Sequence, residues 1–326
     1  MFDAMIETLK ANPRKIVFTE GHDARILEAT ARLVEGGFLT PILIGNVDEV
    51  KANAAKGGFN IEGVEIIDPA TYPEMDKMVD KMVELRKGKM TPEDCRKALS
   101  KGNYFGTMLV KMGEADCLLG GATYSTADTV RPALQLVKTK AGNKIVSSCM
   151  ILVRTNATGG SEVIAMGDCA INIDPTADEL VEIATECAHC ARAFGIEPKV
   201  AMLSYSTHGS GKGPTVDKMR EATEKVKALN PDFDIDGEMQ FDAAVSPVVG
   251  QLKFPGSPVA GYANTFIFPD INAGNIGHKM AQRLGHFDAY GPVLLGLNAP
   301  INDLSRGCNA AEVYSMSIIT ASLCKD

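Results

Sequence analysis

The stretch NDLSRGCNAAE, residues 302–312, places a hydroxyl, a guanidinium, a thiol and a carboxylate beside the predicted start of the last helix. Arg306 precedes that helix, and an arginine fork next to the amides of a helix N-terminus makes a strong site for a phosphate or a carboxylate. Ser305 can donate a hydrogen bond to a carbonyl oxygen, but no His–Asp pair is evident that would make it a nucleophile. These residue types predict that the segment handles a phosphorylated acyl compound.

Two residues of this stretch each allow two interpretations. If Asn309 caps the helix, Glu312 occupies the third helical position, where its carboxylate can reach back to the Asn309 amide in a capping box. The same carboxylate can act as a base toward a thiol if burial raises its pKa, and the two roles can coexist. Cys308 is either a covalent acyl acceptor or a buried structural thiol, and we favour the structural thiol.

Two glycine-bearing segments are further candidates for binding an anion. HGSGKGP, residues 208–214, lets backbone amides approach a ligand closely, but it fits neither the GxxxxGK[ST] nor the GxGxxG spacing. A flexible turn with the exposed lysine Lys212 is the alternative. FPDINAGNIGHK, residues 268–279, reads as a strand end, a polar loop and a helix start. Arg283, farther along that helix, is either a surface arginine or an anion ligand.

A third candidate is EADCLLGGATYSTADTVRPALQ, which reads as a strand ending at Gly120 and Gly121, then a loop and a helix. Ser125 and Asp128 stand at the spacing of a capping box at the start of that helix. In a doubly wound sheet, ligands gather at such strand-to-helix turns beyond the carboxyl ends of the strands. We therefore expect Arg131, just past the helix start, to face the same crevice.

Composition limits the classes of protein that fit. With 326 residues, 45% of them hydrophobic, the chain can form two α/β domains of ordinary size. The net charge of -8 argues against a general nucleic-acid or anionic-membrane surface, but it leaves room for a small anion bound by a local arginine cluster. The N-terminus lacks the positive charge of a signal peptide, and no apolar stretch reaches the roughly 18 residues of a membrane helix. We expect a cytoplasmic protein.

The eight cysteines are scattered in apolar surroundings, which favours reduced, buried thiols over a disulfide framework. CAHC, residues 187–190, resembles half of a metal site, but no second cysteine pair is present to complete four ligands. Because the segment also falls inside a helical pattern, we expect these thiols to pack in the core and expect no metal.

The order of elements predicts an α/β fold. KIVFTEGHDARILEATARLVEGGFLTPILIGN gives an apolar run, a helical stripe that stops at two glycines, and a second apolar run, which is the pattern of a βαβ unit. NKIVSSCMILVRT and SEVIAMGDCAIN predict an antiparallel ribbon joined across NATGG. We expect two domains with doubly wound mixed sheets and an interdomain cleft.

The predicted domain boundary lies near residue 148, which gives a first domain of residues 1–148 plus 299–326 and a second domain of residues 149–298. The final strand GPVLLGLN and the last helix are expected to return the chain to the first domain. The later helices are predicted at residues 176–194, 215–229, 275–285 and 309–324.

Several long motifs in matching order resemble the phosphate acetyltransferases of the phosphate acetyl/butyryltransferase family. They are IVFTEGHDARILEAT, STADTVRPALQ, GEMQFDAAVSP, FPDINAGNIGHK and NDLSRGC, and they span nearly the whole chain. The resemblance implies reversible acetyl transfer between coenzyme A and phosphate (acetyl-CoA + phosphate = CoA + acetyl phosphate), with coenzyme A as a substrate and no cofactor or metal. It also implies a homodimer of two α/β domains of isocitrate dehydrogenase-like fold, with the active site in the interdomain cleft.

The resemblance also assigns roles to individual residues. Ser305 and Arg306 match the serine and arginine that hold and polarise the acyl phosphate. Arg283 and Arg131 match arginines that serve the phosphate and coenzyme A, and Arg86 matches a further coenzyme A contact.

Glu312 is a departure, because the family usually has an aspartate seven residues after the motif serine as the base that deprotonates the thiol. Its extra methylene extends the carboxylate by about 1.5 Å, enough to matter where near-attack geometry is needed. The implied mechanism is direct attack of the coenzyme A thiolate on acetyl phosphate, with Glu312 as the base.

Three other functions remain open from the sequence. A phosphate butyryltransferase-like enzyme would perform the same chemistry on a longer acyl chain. A metal-dependent decarboxylating dehydrogenase fits the related fold, but the chain shows no dinucleotide fingerprint or acidic metal cluster. A non-catalytic binder of coenzyme A or acyl phosphate is conceivable because of the Glu312 substitution.

Overall fold

The computed structural model describes residues 2–155 and 159–324, which divide into two compact units. The first unit comprises Met1–Ala141 and Leu297–Asp326, and the second comprises Gly142–Gly296. The chain therefore changes unit ahead of the first strand of the second unit, whereas the predicted boundary at residue 148 falls inside that strand. Among the described residues, no helix combines the length and the apolar character that crossing a membrane requires.

The first unit is built on a parallel sheet. Its strands are β1 Lys15–Phe18, β2 Thr40–Ile44, β3 Glu65–Ile67, β4 Cys117–Gly120 and β11 Ile301–Asp303. They pair in the order β11-β4-β1-β2-β3, and every pairing is parallel. Strand placement thus reverses between β1 and β4, the topology in which a ligand crevice opens beyond the carboxyl ends of the strands.

Several helices of the first unit bury one apolar face. The helices of this unit are α1 Phe2–Ala11, α2 Ala24–Gly36, α3 Val47–Gly57, α4 Met75–Arg86, α5 Pro92–Leu99, α6 Gly102–Met112, α7 Thr126–Pro132, a π-helical turn Ala133–Val137, and α13 Ala310–Ser322. Helices α6 and α13 are instead buried on most sides. In α4, Met78, Val79 and Met82 are buried, as their helical spacing predicts. Helix α2 ends as predicted, because Gly37 adopts the left-handed conformation and donates its amide to the Leu33 carbonyl.

The second unit contains a mixed sheet. Its strands are β5 Ser147–Thr155, β6 Ser161–Gly167, β7 Lys199–Leu203, β8 Asp234–Met239, β9 Thr265–Ile267 and β10 Asp288–Leu295, in the order β10-β5-β6-β9-β7-β8. Strands β5 and β6 form the predicted antiparallel ribbon, although residues 156–158 of the NATGG link lie outside the described residues. The prediction that GPVLLGLN returns to the first domain is wrong. Most of it belongs to β10, which pairs antiparallel with β5, and the shorter β11 makes the return.

Helices of the second unit cover both faces of this sheet. They are α8 Ala177–Ala193, α9 Pro214–Ala228, α10 Phe241–Val245, α11 Pro247–Lys253 and α12 Ile271–Leu284. Side chains alternate along a strand, so Leu152 joins a core cluster with residues of α10 and α12, while Cys149 on the other face contacts Cys187 of α8 with 3.2 Å between the sulfurs. Helix α12 begins four residues before the predicted start because the Asp270 side chain accepts hydrogen bonds from its first-turn amides.

The fold class predicted from the sequence, α/β with two sheets, is confirmed. Only the second sheet is mixed, however, because β11 adds to the first sheet in the parallel direction.

Candidate active site

The candidate site begins with a buried carboxylate at the end of β11. Asp303 accepts hydrogen bonds from the hydroxyls of Thr126 and Thr129 on α7, at 2.6 and 2.5 Å. Burial raises the pKa of the Asp303 carboxyl, against the effect of the two hydroxyl donors. The next amide, that of Leu304, donates to the carbonyl of Gly120 at the end of β4. Helix α7 and the segment after β11 are thereby joined at one edge of the sheet.

Close approach at this edge requires glycine. A side chain at Gly121 would collide with the Asp303 carboxylate, and the backbone there has a φ of 96°, which favours glycine. The GG pair noted in the sequence therefore lets β4 and β11 end side by side.

Residues 305–308, named here the Ser305 turn, follow directly. The Cys308 amide donates to the Ser305 carbonyl at 2.9 Å, and the Gly307 amide donates to the Ser305 hydroxyl oxygen at 3.2 Å. Ser305 and Arg306 are exposed, and the Arg306 guanidinium has no hydrogen-bond or ion-pair partner in the described part of the chain. Cys308 is buried, and burial raises the pKa of its thiol despite the nearby Arg25. The turn thus presents a hydroxyl and an unpaired guanidinium to solvent.

Helix α13 starts with the predicted capping box. The Glu312 amide donates to the Asn309 side chain at 2.9 Å, and the Glu312 carboxylate accepts from the Asn309 amide at 3.2 Å. The Glu312 side chain is exposed, so the described residues do not provide the burial on which its predicted role as a base depends. The carboxylate therefore has a structural role, while its outer surface faces solvent beside the Ser305 turn.

Arg131 lines a cavity of about 740 Å³ within the first unit. Its wall includes Thr19 and Glu20, which follow β1, and Tyr124, which follows β4, so it lies at the carboxyl ends of these two strands, as expected for this strand order. Its lining residues are Thr19, Glu20, Lys89, Met90, Asp94, Lys97, Ala98, Lys101, Gly102, Asn103, Tyr104, Tyr124, Asp128, Arg131 and Pro132. Three lysines and one arginine outnumber the three carboxyl groups of the wall, Glu20, Asp94 and Asp128, and the raised pKa of Glu20 favours its neutral form. This excess of positive charge suits an anionic ligand.

Arg86, the last residue of α4, lies near this cavity. Burial raises the pKa of Tyr104 in the cavity wall, and the charges of Arg131 and Arg86 oppose that rise, so both guanidinium groups are close to the phenol. The Arg86 Nε is buried and has no hydrogen-bond partner among the described residues. A buried N–H without an acceptor is unusual, which marks Arg86 as a residue that a ligand can satisfy.

The other predicted anion sites fall in the second unit. Arg283 is exposed near the end of α12. In the glycine loop, the Gly209 amide donates to Glu238 and the Gly211 amide donates to Ser206. Because two amides of the loop already have partners within the chain, the structure favours the alternative, a turn that carries the exposed Lys212.

The predicted capping box at Ser125 and Asp128 is wrong. Ser125 does precede α7, but its hydroxyl donates to the Asp128 carboxylate at 2.7 Å and caps no backbone amide. The two side chains are hydrogen-bonded to each other instead of to backbone amides. The spacing therefore predicted the helix start correctly but not the hydrogen bonds of a capping box.

The arginines of this acidic chain fall into two groups. One group pairs with carboxylates and includes Arg25, Arg96, Arg154, Arg192 and Arg220. For the second group, the described residues provide no carboxylate partner; among its members are all four arginines predicted to bind anions, Arg86, Arg131, Arg283 and Arg306. Unpaired guanidinium groups keep their donors available for a phosphate.

Comparison with known proteins identifies the family. The family model described as "Phosphate acetyl/butaryl transferase" matches residues 1–321. The phosphate acetyltransferase of Bacillus subtilis (strain 168) is 51% identical over 321 residues, which cover 98% of each chain. A phosphotransacetylase from Streptococcus pyogenes superposes with a TM-score of 0.96 at 54% identity, covering 99% of this chain and 97% of that one. The EutD phosphotransacetylase from Staphylococcus aureus gives a TM-score of 0.91 at 46% identity, covering 99% of both.

The chain belongs to the phosphate acetyl/butyryl transferase family. Membership confirms the resemblance seen in the sequence motifs, and it confirms that the protein is an acyltransferase. The residue assignments stay predictions, now with a defined geometry in each unit.

Sequence reasoning missed three charged residues beside the Ser305 turn. Arg25 contacts the turn, Asp303 anchors the strand before it, and Glu20 is buried where β1 ends. Glu20 and Arg25 stand in the quoted motif TEGHDAR, and Asp303 stands in NDLSRG. For Glu20 and Asp303 the signal was their position at or just after the end of a strand, where a charged residue faces the ligand edge of a parallel sheet. Arg25 lies in the first turn of α2, the helix that follows β1.

Glu20 gives a pH prediction. Burial raises the pKa of its carboxyl, against hydrogen bonds from Thr19 and Thr123, so the folded state holds this proton to higher pH than the unfolded state does. Ionisation of Glu20 then removes stability as the pH rises through the raised pKa. We expect the melting temperature of Glu20→Gln, compared with that of wild type at the same pH, to rise relative to wild type as the pH increases above the unfolded pKa of about 4.5. Thermal unfolding at a series of pH values measures this difference.

Glu238 is the matched control, because it is equally buried with the opposite shift. Burial alone would raise its pKa, but the Gly209 amide, Arg220 and the Ser206 hydroxyl together lower it. The stability that ionised Glu238 contributes is lost as the pH falls below the unfolded pKa of about 4.5. Glu238→Gln should therefore become less favourable relative to wild type as the pH rises to about 4.5, and the difference should stay constant above it. Equal pH trends for the two variants would contradict the assignment.

Proposed function

We propose that the chain is a phosphate acetyltransferase, which transfers acetyl reversibly between coenzyme A and phosphate. The observation that carries this proposal is the set of unpaired guanidinium groups in a protein of net charge -8, with Arg306 on an exposed turn at a helix N-terminus. Both substrates are polyanions, so this placement concentrates positive charge where it is needed. The Bacillus subtilis relative is named for the same activity.

Coenzyme A is proposed to occupy the cavity of the first unit. Its phosphates require several cations, and the wall supplies Lys97, Lys101 and Arg131, with Arg86 close by. The volume of about 740 Å³ lies in the range of pockets that hold ligands of moderate size. Arg283, on the second unit, remains a proposed ligand of the phosphate group.

Acyl transfer is proposed to occur at the Ser305 turn. Ser305 and Arg306 donate to the carbonyl oxygen of acetyl phosphate and stabilise the oxyanion that develops during attack. Glu312 takes the thiol proton, the thiolate sulfur bonds to the carbonyl carbon, and the carbon–oxygen bond to phosphate breaks as phosphate leaves. The phosphate carries away the bonding electrons, so the reaction needs no redox partner and, in this proposal, no metal or other cofactor.

Substitutions of Glu312 test whether its carboxylate is the base. They must be compared with a control, because the same carboxylate also accepts a hydrogen bond in the capping box. In coupled assays of thioester formation from acetyl phosphate and coenzyme A, Glu312→Ala should lower kcat by about 10²- to 10⁴-fold, the usual contribution of a general base. Glu312→Asp should turn over faster than wild type if carboxylate reach limits the rate. Aspartate can still close the box, as Asp94 does with Thr91 in α5.

Asn309→Ala is the control for loss of the cap alone. It should lower stability by about 1 kcal/mol while retaining most of the turnover. Glu312→Ala with normal turnover would assign Glu312 to capping only, and absence of thioester formation by wild type would reject the acetyltransferase proposal. Faster thioester formation with butyryl phosphate would instead favour the butyryltransferase alternative.

Arg306 provides a second test. Arg306→Gln should lower kcat/KM by about 10²- to 10³-fold, the loss typical of one oxyanion donor, with an unchanged melting temperature because the side chain is exposed and unpaired. Arg192→Gln is the matched control, because that arginine is already neutralised by Asp232 and Glu197. Similar activity of the two variants would remove Arg306 from the proposed site.

We propose that the chain forms a homodimer through its second unit, in the cytoplasm. Support for the dimer comes from exposed apolar side chains on α11 and α12, where Val248 and Leu252 are each 79% exposed and Leu284 is 73% exposed. Helix α11 packs against α10, and α10 and α12 contribute to the same core cluster on one face of the sheet, so we propose that this face contacts a second copy. All eight cysteines are free, in keeping with a reducing compartment.

Leu252→Glu combined with Leu284→Glu should convert the dimer to monomer in sedimentation velocity, because two carboxylates would be buried in an apolar contact. Leu229→Glu is the control, since Leu229 is 63% exposed at the end of α9, which packs with α8 against the other face of the sheet. A dimer that survives the double substitution but not the control would place the interface elsewhere.

A further inference from the structure

Arg25 uses its entire hydrogen-bonding capacity on the chain itself. Its Nε and Nη2 donate to the two oxygens of Asp23 at 3.0 and 2.8 Å, and Nη2 also donates to the Ala122 carbonyl at 2.9 Å. Nη1 donates to the carbonyls of Arg306 and Cys308 at 2.8 and 3.2 Å. A guanidinium has five N–H groups, and these contacts account for all five. Arg25 therefore has no donor left for a substrate, in contrast to Arg306.

The acceptors of Arg25 come from three separate parts of the sequence. Asp23 follows β1, Ala122 follows β4, and the two carbonyls of the Ser305 turn follow β11. These strands are neighbours in the sheet, in the order β11-β4-β1. One side chain thus spans the carboxyl edge of the sheet across three strands.

The side chain of Arg25 is itself held in place. The Asp23 carboxylate caps α2 by accepting a hydrogen bond from the Arg25 backbone amide. The same carboxylate forms an ion pair with the Arg25 guanidinium. The hydrogen bond from Arg25 is the main cause of the lowered pKa of Asp23, which keeps the carboxylate charged. The guanidinium therefore approaches the Ser305 turn from a fixed direction.

We infer that Arg25 is a positioning residue for acyl transfer, which acts by setting the orientation of the Ser305 turn. This inference rests on the proposed function and extends it. Because Arg25 binds the carbonyls of both Arg306 and Cys308, it restrains the backbone of the Ser305 turn to one orientation. The Ser305 hydroxyl and the Arg306 guanidinium are attached to that backbone, so their positions depend on the same contacts. A lysine cannot replace Arg25, because one ammonium has three donors around a single centre and cannot span these acceptors.

Kinetics of the full-length protein test the inference. Arg25→Gln should lower kcat by about 10²-fold, the effect of a small misplacement of reacting groups, while KM for coenzyme A changes little because the cavity residues are untouched. Arg25→Lys should not recover the rate. Added guanidinium ion at low millimolar concentration should partly restore Arg25→Ala, since it can occupy the same acceptors.

Arg32→Gln is the matched control. Arg32 lies on the same helix, and its guanidinium sits 4.1 Å from the centre of the Tyr314 ring of α13, so it also bridges α2 and α13 but does not touch the Ser305 turn. This variant should keep wild-type kcat. Arg25→Gln with a kcat close to wild type, or an equal loss in Arg32→Gln, would overturn the positioning role.

Hydrogen–deuterium exchange separates this inference from the proposed function, because it needs no substrate. In Arg25→Gln, peptides covering residues 303–312 should exchange faster than in wild type, while peptides of α4 and α5 should not. If wild type forms no thioester, the proposed function fails, and faster exchange in the variant still supports the contact. Unchanged exchange of residues 303–312 would overturn the inference whatever the activity.

Discussion

Parallel pairing of β11 with β4 is the constraint on which the candidate site depends. The partners are distant in sequence, yet this pairing places the Ser305 turn next to the crevice between β4 and β1. Buried Asp303 fixes the end of β11 against α7, and Gly121 leaves room for that carboxylate. Because parallel strands end at one edge, charged residues from three separate segments of the chain meet there without a long loop.

Charge is distributed so that an acidic protein can bind polyanions. Carboxylates neutralise several surface arginines, such as Arg96, Arg154 and Arg192, and these pairs contribute little stability at exposed positions. Arg131 and Arg306 lack such partners among the described residues, so their fields extend into solvent. The net charge of the chain is therefore a poor guide to its ligands, and the pairing state of each arginine is a better one.

Local signals allowed much of the fold and part of the candidate site to be predicted. The capping box of Asn309 and Glu312 depends on residues three apart, so the sequence was sufficient. Arg25 could not be assigned a role, because its acceptors other than Asp23 lie about a hundred and almost three hundred residues away and only the tertiary fold brings them near. The same reason explains the error over GPVLLGLN, whose apolar pattern predicts a strand but not its partner. Ser125 shows a third case, in which the spacing was correct and the hydrogen bonds were different.

The division of the chain has a consequence for biosynthesis. The second unit is one continuous segment, so it can complete its sheet while the C-terminal part is still being translated. The sheet of the first unit cannot be completed at that stage, because one edge of β4 has no partner until β11 emerges from the ribosome. During that interval the acceptors that Arg25 will bind on the Ser305 turn do not yet exist, although β1, β2 and β4 have already been synthesised. The nascent first unit therefore exposes an unpaired strand edge, where pairing with another chain can begin, until β11 has been synthesised.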